Sequence, residues 1–282
     1  MKDTKSFCLA LLVALCTALL SGCTDNPFFK DKVSGGTTAV RGSVQLADGQ
    51  TPEGVFVWLD GFNNSARCDA AGRFLLNLPP QSASAGINGT FQLYFYVANY
   101  QLNSAQVVVR NGEFAYDQAD INKKGELIST PVLQKFIRIF TRVEPSMINQ
   151  NFEGRLLMTV TLEAIGDTVT VKFPGLFTEF LAKAILKKAG ADEIMLLLSN
   201  AFGAASSDLQ IVGSIPYSRS IAFDIARGSI SPGDYELIPY LLIKHETIPP
   251  KLIQGLGSNV EAFGKEYLKI PFRREGGSLK VL

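Results

Sequence analysis

Hydrophobic and polar residues alternate in short runs from Ala39 onward, which is the period of a β-strand with one buried face. Turn-forming pairs such as Asp48-Gly49 and Asn111-Gly112 separate the runs. Five runs fill the first part of the chain, with apolar positions over 40–46, 55–59, 74–78, 91–97 and 107–109. Short strands at this spacing predict a β-sandwich over residues 39–135.

A second β region is predicted over residues 136–282. It consists of further alternating runs over 136–145, 156–162, 169–173, 209–211, 221–225, 235–243 and 267–272. The stretch Ser231-Pro232-Gly233 predicts a tight turn that enters one of these strands. We interpret this region as a second, Ig-like sandwich, so the predicted fold class is mainly β with two sandwich domains.

One stretch, about residues 176–202, departs from the β pattern. Its apolar residues follow helical spacing in two sets, first Phe177, Phe180, Leu181, Ala184 and Ile185, then Ile194, Leu197, Leu198, Ala201 and Phe202. Gly190 separates the sets. This spacing predicts a short helical insert, as two amphipathic helices or one broken helix. Its apolar faces are expected to cap the sandwich; the alternative is a face for a partner or a membrane surface.

The N-terminus has the pattern of a targeting segment. Lys2 and Lys5 precede a run of 14 largely apolar residues, Phe7–Leu20. A helix that spans a membrane needs about 20 apolar residues, so this run is typical of a signal-peptide core instead.

The run ends in Leu20-Ser21-Gly22-Cys23. This sequence resembles the lipobox of bacterial lipoproteins. The resemblance implies that a signal peptidase recognises Leu20, Ser21 and Gly22, cuts before Cys23, and leaves Cys23 to carry lipid. Residues 1–22 are then a signal peptide and residues 23–38 a lipid-anchored tether. An ordinary secretory signal or an uncleaved anchor are the alternatives.

The residue after Cys23 indicates in which membrane a lipoprotein would be anchored. In enterobacterial lipoproteins an aspartate there favours retention in the inner membrane, whereas this chain has Thr24. By this resemblance we expect a cell-envelope protein at the outer membrane. Its partners would be the membrane, through the N-terminal lipid, and an envelope protein.

The first predicted sandwich carries a more specific pattern. It reads VRGSVQLADG over 40–49, PEGVFVWL over 52–59 and DAAGRFLL over 69–76, and closes at Leu78-Pro79. This pattern resembles the carboxypeptidase regulatory-like domain, a transthyretin-like β-sandwich that carries no zinc ligands. The resemblance covers about residues 39–110, and Cys68 stands where the family usually has Thr or Ser. The Asp69 side chain is expected to bond the backbone of the turn that Gly72 completes.

Composition narrows the function classes. The chain has 282 residues, 46% of them hydrophobic, with 27 basic and 26 acidic residues. This balance lacks the basic field typical of nucleic-acid binding, so we expect no nucleic-acid partner. The single histidine, His245, makes a multi-histidine metal site impossible and a histidine-based catalyst improbable on composition, so no metal or cofactor is expected.

Two further features have conservative interpretations. The stretch from Asp120 to Glu126 is similar to an EF-hand loop, but Lys124 occupies a ligand position, so a polar turn is the interpretation. After signal cleavage Cys68 would be the one remaining thiol apart from Cys23. An intramolecular disulfide is then excluded, and the neighbouring Asp69 should make this thiol less acidic.

Aromatic residues of the first sandwich form the candidate binding surface. They are Trp58, Tyr94, Tyr96 and Tyr100. Tyr94 and Tyr96 alternate with Leu93 and Phe95 and should lie on the opposite face of their strand. Exposed there, they could stack on a sugar or a protein partner; the alternative is packing against the second domain.

Three functions compete on this evidence. The favoured hypothesis is a non-catalytic binding or scaffolding lipoprotein. A small-ligand or lipid-binding lipoprotein would use an apolar cavity under the helical insert. An enzyme or an accessory enzyme subunit would need paired carboxylates, and Glu144, Glu153 and Glu163 are scattered along the sequence.

Overall fold

Strands with one buried and one exposed face make up most of the protein. The computed structural model describes residues 35–80, 86–177, 179, 181–200, 207–244 and 247–282. The mainly β fold class predicted from the alternation is confirmed within these residues. No helix among them is long and apolar enough to cross a bilayer.

The first ten strands belong to the N-terminal sandwich. They are β1 (Gly36–Thr37), β2 (Ala39–Ser43), β3 (Gln45–Leu46), β4 (Phe56–Leu59), β5 (Asn64–Arg67), β6 (Arg73–Asn77), β7 (Gly89–Tyr96), β8 (Asn103–Arg110), β9 (Glu113–Ala115) and β10 (Val132–Leu133). One sheet has the order β1-β9-β8-β7-β4-β5, and the antiparallel pair β2-β6 and the parallel pair β3-β10 complete the sandwich. Their inward side chains form one apolar cluster that extends from Val40 to Leu133.

The turn before β6 has the predicted geometry. The Asp69 carboxylate accepts hydrogen bonds from the backbone N–H of Ala71, at 3.0 Å, and of Arg73, at 2.8 Å. The backbone N–H of Gly72 closes the turn by donating to the Asp69 carbonyl. The polar residues Asn64–Arg67 form edge strand β5, because one face of an edge strand can remain polar.

The remaining elements form the C-terminal sandwich and a segment packed on it. They are β11 (Ile137–Glu144), β12 (Met147–Ile148), β13 (Gly154–Ala164), β14 (Val169–Lys172), β15 (Leu181–Lys188), β16 (Ile194–Asn200), β17 (Leu209–Val212), β18 (Tyr217–Ile225), β19 (Gly233–Pro239), β20 (Leu242–Ile243), helix α1 (Pro250–Leu256), a 3-10 helix (Lys265–Lys269), β21 (Glu275–Gly276) and β22 (Ser278–Val281).

Two main sheets enclose the second apolar cluster, which extends from Ile137 to Val281. Their strand orders are β18-β13-β11-β21 and β12-β22-β19-β15-β16, and a smaller sheet has the order β17-β14-β20. Residues 36–282 form one compact unit, so the boundary between domains at 135 and 136 stays a prediction.

The helical insert predicted over 176–202 is wrong. The described residues there form the antiparallel hairpin of β15 and β16, with Gly190 in its turn. The pattern misled because β15 is buried on both faces: Ala184 and Leu186 face the second cluster while Ile185 faces the opposite side. A strand covered on both faces loses the alternation that identifies strands. Phe180, Ala201 and Phe202 lie outside the described residues.

The strand predicted over 267–272 is also wrong. The 3-10 helix takes its first half, and helix α1, which no pattern indicated, precedes it. Both elements are short, and tertiary packing rather than periodicity determines them.

A pair of glycines lets the C-terminal segment join both main sheets. Gly276, which ends β21 in one sheet, and Gly277, which precedes β22 in the other, have φ of +77° and +82°. A Cβ on Gly276 would lie 2.0 Å from the carbonyl oxygen of Thr141. Only glycine fits this left-handed backbone so close to another strand.

We therefore predict that Gly276→Ala lowers the free energy of unfolding by about 3 kcal/mol or more, since strain and a backbone clash add. Gly228→Ala is the control: its φ is +70°, but nothing lies within 4 Å of the added Cβ. It should cost only about 1–2 kcal/mol. Urea unfolding of both variants measures the difference, and equal losses would contradict the clash.

Candidate functional site

A third apolar cluster joins the two sandwiches, and we call it the junction. It is built from three parts of the chain: Phe56, Trp58, Tyr96 and Ala98; Ile185, Ile238 and Tyr240; and Leu252, Leu256, Val260, Tyr267 and Ile270. The first set belongs to the N-terminal sandwich, the second to the outer face of the C-terminal sandwich, and the third to the segment that carries helix α1.

Alternation along β4 and β7 explains the first set. Val57 and Phe95 point into the N-terminal core, whereas Trp58 and Tyr96 point the other way, into the junction. The prediction that the tyrosines lie opposite Leu93 and Phe95 is thus confirmed. All of β4 is consequently buried, half of it in each cluster.

Helix α1 contacts the indole of Trp58 through a glycine. A Cβ on Gly255 would lie 2.9 Å from both Cδ1 and Nε1 of Trp58. The Trp58 side chain is only 1% exposed, and its Nε1 has no hydrogen-bond partner among the described residues. Tight apolar packing therefore holds the helix here.

Polar side chains border the junction, and we call them the polar rim. They are Asp48, Arg67, Asn99, Lys135, Arg273 and Glu275. The lysine among them is buried. Lys135 lies in the connection between β10 and β11, and its side chain is 5% exposed. Its Nζ lies 2.6 Å from Oδ2 of Asp48 and 3.5 Å from Oε1 of Glu275. The Tyr100 hydroxyl donates to the same Asp48 oxygen at 2.7 Å. The Lys135 ammonium group thus links the N-terminal sandwich, through Asp48, to β21, through Glu275.

These contacts determine the ionisation of Asp48. Burial opposes its charge, but the hydrogen bonds from Lys135 and Tyr100 favour it more, so the pKa of Asp48 lies below its usual value.

Two arginines cross the junction by donating to backbone carbonyls. The Arg273 guanidinium donates to the carbonyls of Thr51, at 3.1 Å, and Glu53. The Arg67 guanidinium donates to the carbonyl of Lys269 at 2.7 Å. Partial burial lowers the pKa of both guanidinium groups. Arg67 and Arg273 are therefore both part of the junction.

Asn99 completes the rim from the N-terminal side. It is fully buried, and its amide donates to the carbonyl of Arg273 at 2.8 Å and accepts from the backbone N–H of Arg273 at 2.9 Å. The Asn99 side chain thus forms, with the backbone of Arg273, the two hydrogen bonds that a neighbouring strand would form.

The four predicted aromatic residues do not form an exposed surface. Trp58 and Tyr96 are buried in the junction, and Tyr100 is buried in the N-terminal core. Tyr94 is partly buried and stacks on Trp58 with ring centroids 5.9 Å apart. Trp58 and Tyr96 instead pack against the second sandwich, which was the alternative interpretation of these side chains.

The other residues singled out from the sequence either have structural roles or lie outside the described residues. Cys68 is buried, and burial with the nearby Asp69 raises the pKa of its thiol to about 12, which makes it a poor nucleophile. The Asn122 side chain accepts from the backbone N–H of Lys124 at 2.7 Å and so forms the expected polar turn. Cys23, Leu20, Ser21, Gly22 and His245 lie outside the described residues. In the part of the chain that is described, no cluster of three or more His, Cys, Asp or Glu side chains could hold a metal.

The cavities differ in size and chemistry. A groove of about 640 Å³ crosses the five-stranded sheet, where Lys187 faces Glu236 and Asp234 faces Lys280 on neighbouring strands. The space between Leu176, Leu181 and the second core is about 10 Å³, room for one water at most. A crevice of about 110 Å³ opens at the edge of the junction.

Sequence reasoning missed the residues that make the junction. Lys135, Gly255, Glu261 and Glu275 belong to no motif, and their partners lie far away along the chain. The one available signal was the aromatic set on the outer faces of β4 and β7, because four large rings on one strand pair need a covering surface.

No protein-family model matches the chain, and no curated protein matches it. Among solved structures, it is similar to a variant of BcpA, the major pilin subunit of Bacillus cereus, with 11% identity, TM-score 0.25, and coverage of 71% of this chain and 63% of that one. The Bacillus anthracis TIE protein matches with 10% identity and TM-score 0.23, over 75% of this chain and 30% of that one. Likenesses of this size assign neither a family nor a function, and this chain spans less than two thirds of each protein.

The single tryptophan makes the junction observable, because Trp58 is the one indole in the sequence. Gly255→Ala should force α1 away from the ring, shift the fluorescence emission of Trp58 to longer wavelength and lower the free energy of unfolding by about 1–3 kcal/mol. Gln254→Ala, an exposed change on the same helix, is the matched control. An unchanged spectrum in Gly255→Ala would show that the contact is looser than described.

Asp48→Asn should lower the free energy of unfolding by about 1–2 kcal/mol at neutral pH, because Lys135 loses its nearer charged partner and keeps only Glu275 at 3.5 Å. The folded-state pKa is the lower one, so the stabilisation is complete above the unfolded pKa of about 3.9 and is lost as the pH falls through the folded value. The difference between the two proteins should therefore be constant from about pH 7 to 5 and vanish in acid. Urea unfolding at stepped pH measures it, with exposed Asp167→Asn as the control for removing a carboxylate. A difference that persists at about pH 2 would refute this account.

Proposed function

We propose that this chain is a lipid-anchored, non-catalytic binding or scaffolding lipoprotein of the bacterial cell envelope. Its N-terminal sandwich would be a carboxypeptidase regulatory-like module, and the anchor would be Cys23, at the outer membrane. The observation that carries the scaffolding role is the junction, where apolar packing, a buried lysine and two arginines join the sandwiches. A unit built in this way can present surfaces in fixed relation to one another.

The alternative of a small-ligand or lipid-binding protein has less support. It relied on a helical insert, and the described residues there form a hairpin of two strands. An accessory role in an envelope enzyme is a further alternative, and it would use the same protein-binding surfaces.

Lipidation provides the first test. Cells that express the full chain are grown with a fatty acid that carries a terminal alkyne. The wild-type protein should become labelled, and Cys23→Ala should abolish the label. Cys68→Ala is the matched control, because it removes a thiol that is buried in the N-terminal core. Label that persists in Cys23→Ala would refute the anchor.

The binding role is tested by crosslinking in cells, followed by purification of the full-length protein in mild detergent. A partner recovered in fixed stoichiometry, and lost after Gly255→Ala opens the junction, is the expected result. Recovery of the protein alone would contradict the scaffolding role.

A further inference from the structure

The crevice at the edge of the junction is lined by apolar side chains, a tyrosine and one charged residue. Its volume is about 110 Å³, on the scale of a single aliphatic side chain and well below that of pockets for whole small molecules, about 300 Å³ and more. Of its lining residues, Tyr96 and Ile270 are buried, and Leu242, Ile248 and Ile253 are partly buried. Glu261, which is exposed, is the one charged residue among the described residues that line it.

Glu261 is held in place but not neutralised. The Tyr240 hydroxyl donates to its backbone carbonyl at 2.5 Å, so the loop is attached to the C-terminal sandwich. Its carboxylate forms no ion pair with any residue in the described ranges. Arg274, which stacks on Phe272 at the border of the crevice, instead donates to the Tyr267 hydroxyl at 2.9 Å.

The charge of Glu261 acts on the buried tyrosine that lines the crevice. Burial is the main reason that the pKa of Tyr96 is raised, and the charges of Glu261 and Tyr267 raise it further. Burial likewise raises the pKa of Tyr240 to about 12, with smaller contributions from Tyr267 and Glu261.

We propose that this crevice binds an alkylammonium group, namely the lysine side chain of a protein partner, with its methylene stem against the isoleucines and its charge beside Glu261. A lysine is the protein side chain that combines an aliphatic stem with a compact positive tip. Small, well-packed pockets that accept one anchoring side chain carry much of the affinity of protein interfaces. That the amine belongs to a protein partner rests on the proposed binding function.

The test uses the full-length protein in non-ionic detergent, labelled at the isoleucine methyl groups and titrated with n-butylammonium chloride. The methyl signals of Ile248 and Ile253 should shift saturably, with a dissociation constant on the order of millimolar for so small a probe. Ile139, in the second core, should not respond. n-Butanol should bind at least fivefold more weakly, because it keeps the stem and lacks the charge.

Glu261→Gln should weaken n-butylammonium at least fivefold and leave n-butanol unchanged, whereas Glu153→Gln, an exposed glutamate remote in sequence, should change neither. The absence of a saturable shift, equal binding of the two probes, or an unaffected Glu261→Gln would overturn the proposal. If the protein recovers a stoichiometric partner but binds no alkylammonium, only the crevice assignment fails. If it binds alkylammonium but recovers no partner, the scaffolding function fails and the amine site remains.

Discussion

Burial of both faces of β4 is the constraint on which the arrangement of this protein depends. A strand of an isolated sandwich leaves one face in water, but here that face carries Phe56 and Trp58 and is covered by helix α1. Burying one large aromatic side chain contributes about 4–6 kcal/mol at the usual energy per unit area. The unpartnered Nε1 of Trp58 costs about 1–3 kcal/mol, so packing dominates and the sandwiches stay together.

The polar rim determines orientation more than it adds energy. Apolar surfaces are not directional and would allow the sandwiches to slide, whereas Lys135, Arg273 and Asn99 each have partners at fixed positions on the other side. Because these groups are partly or wholly buried, displacing them would leave charges and amides without partners. The rim therefore selects one arrangement among those that the apolar cluster would permit.

Local physics in the sequence was enough for most strands with one exposed face and for the Asp69 turn, because each depends on neighbours within a few residues. It failed for β15, whose second face is covered by residues distant in the chain, so that Ile185 breaks the expected alternation. It also failed for the junction. Gly255 matters only because Trp58 lies against it, and no local pattern encodes a contact across almost 200 positions. The aromatic faces of β4 and β7 were visible in the sequence, but their covering surface was not.

The placement of the crevice links recognition to the integrity of the junction. Its lining includes Tyr96 from the N-terminal sandwich and Ile270 from the covering segment, so a complete crevice exists only while the two are together. A ligand that binds this assembled state and not the separated one stabilises it, by about 2.7 kcal/mol when its concentration is a hundredfold above its dissociation constant. That gain is comparable to the cost of leaving Nε1 of Trp58 without a hydrogen-bond partner in the junction. A partner that engages the crevice would consequently strengthen the same arrangement of the two sandwiches that it recognises.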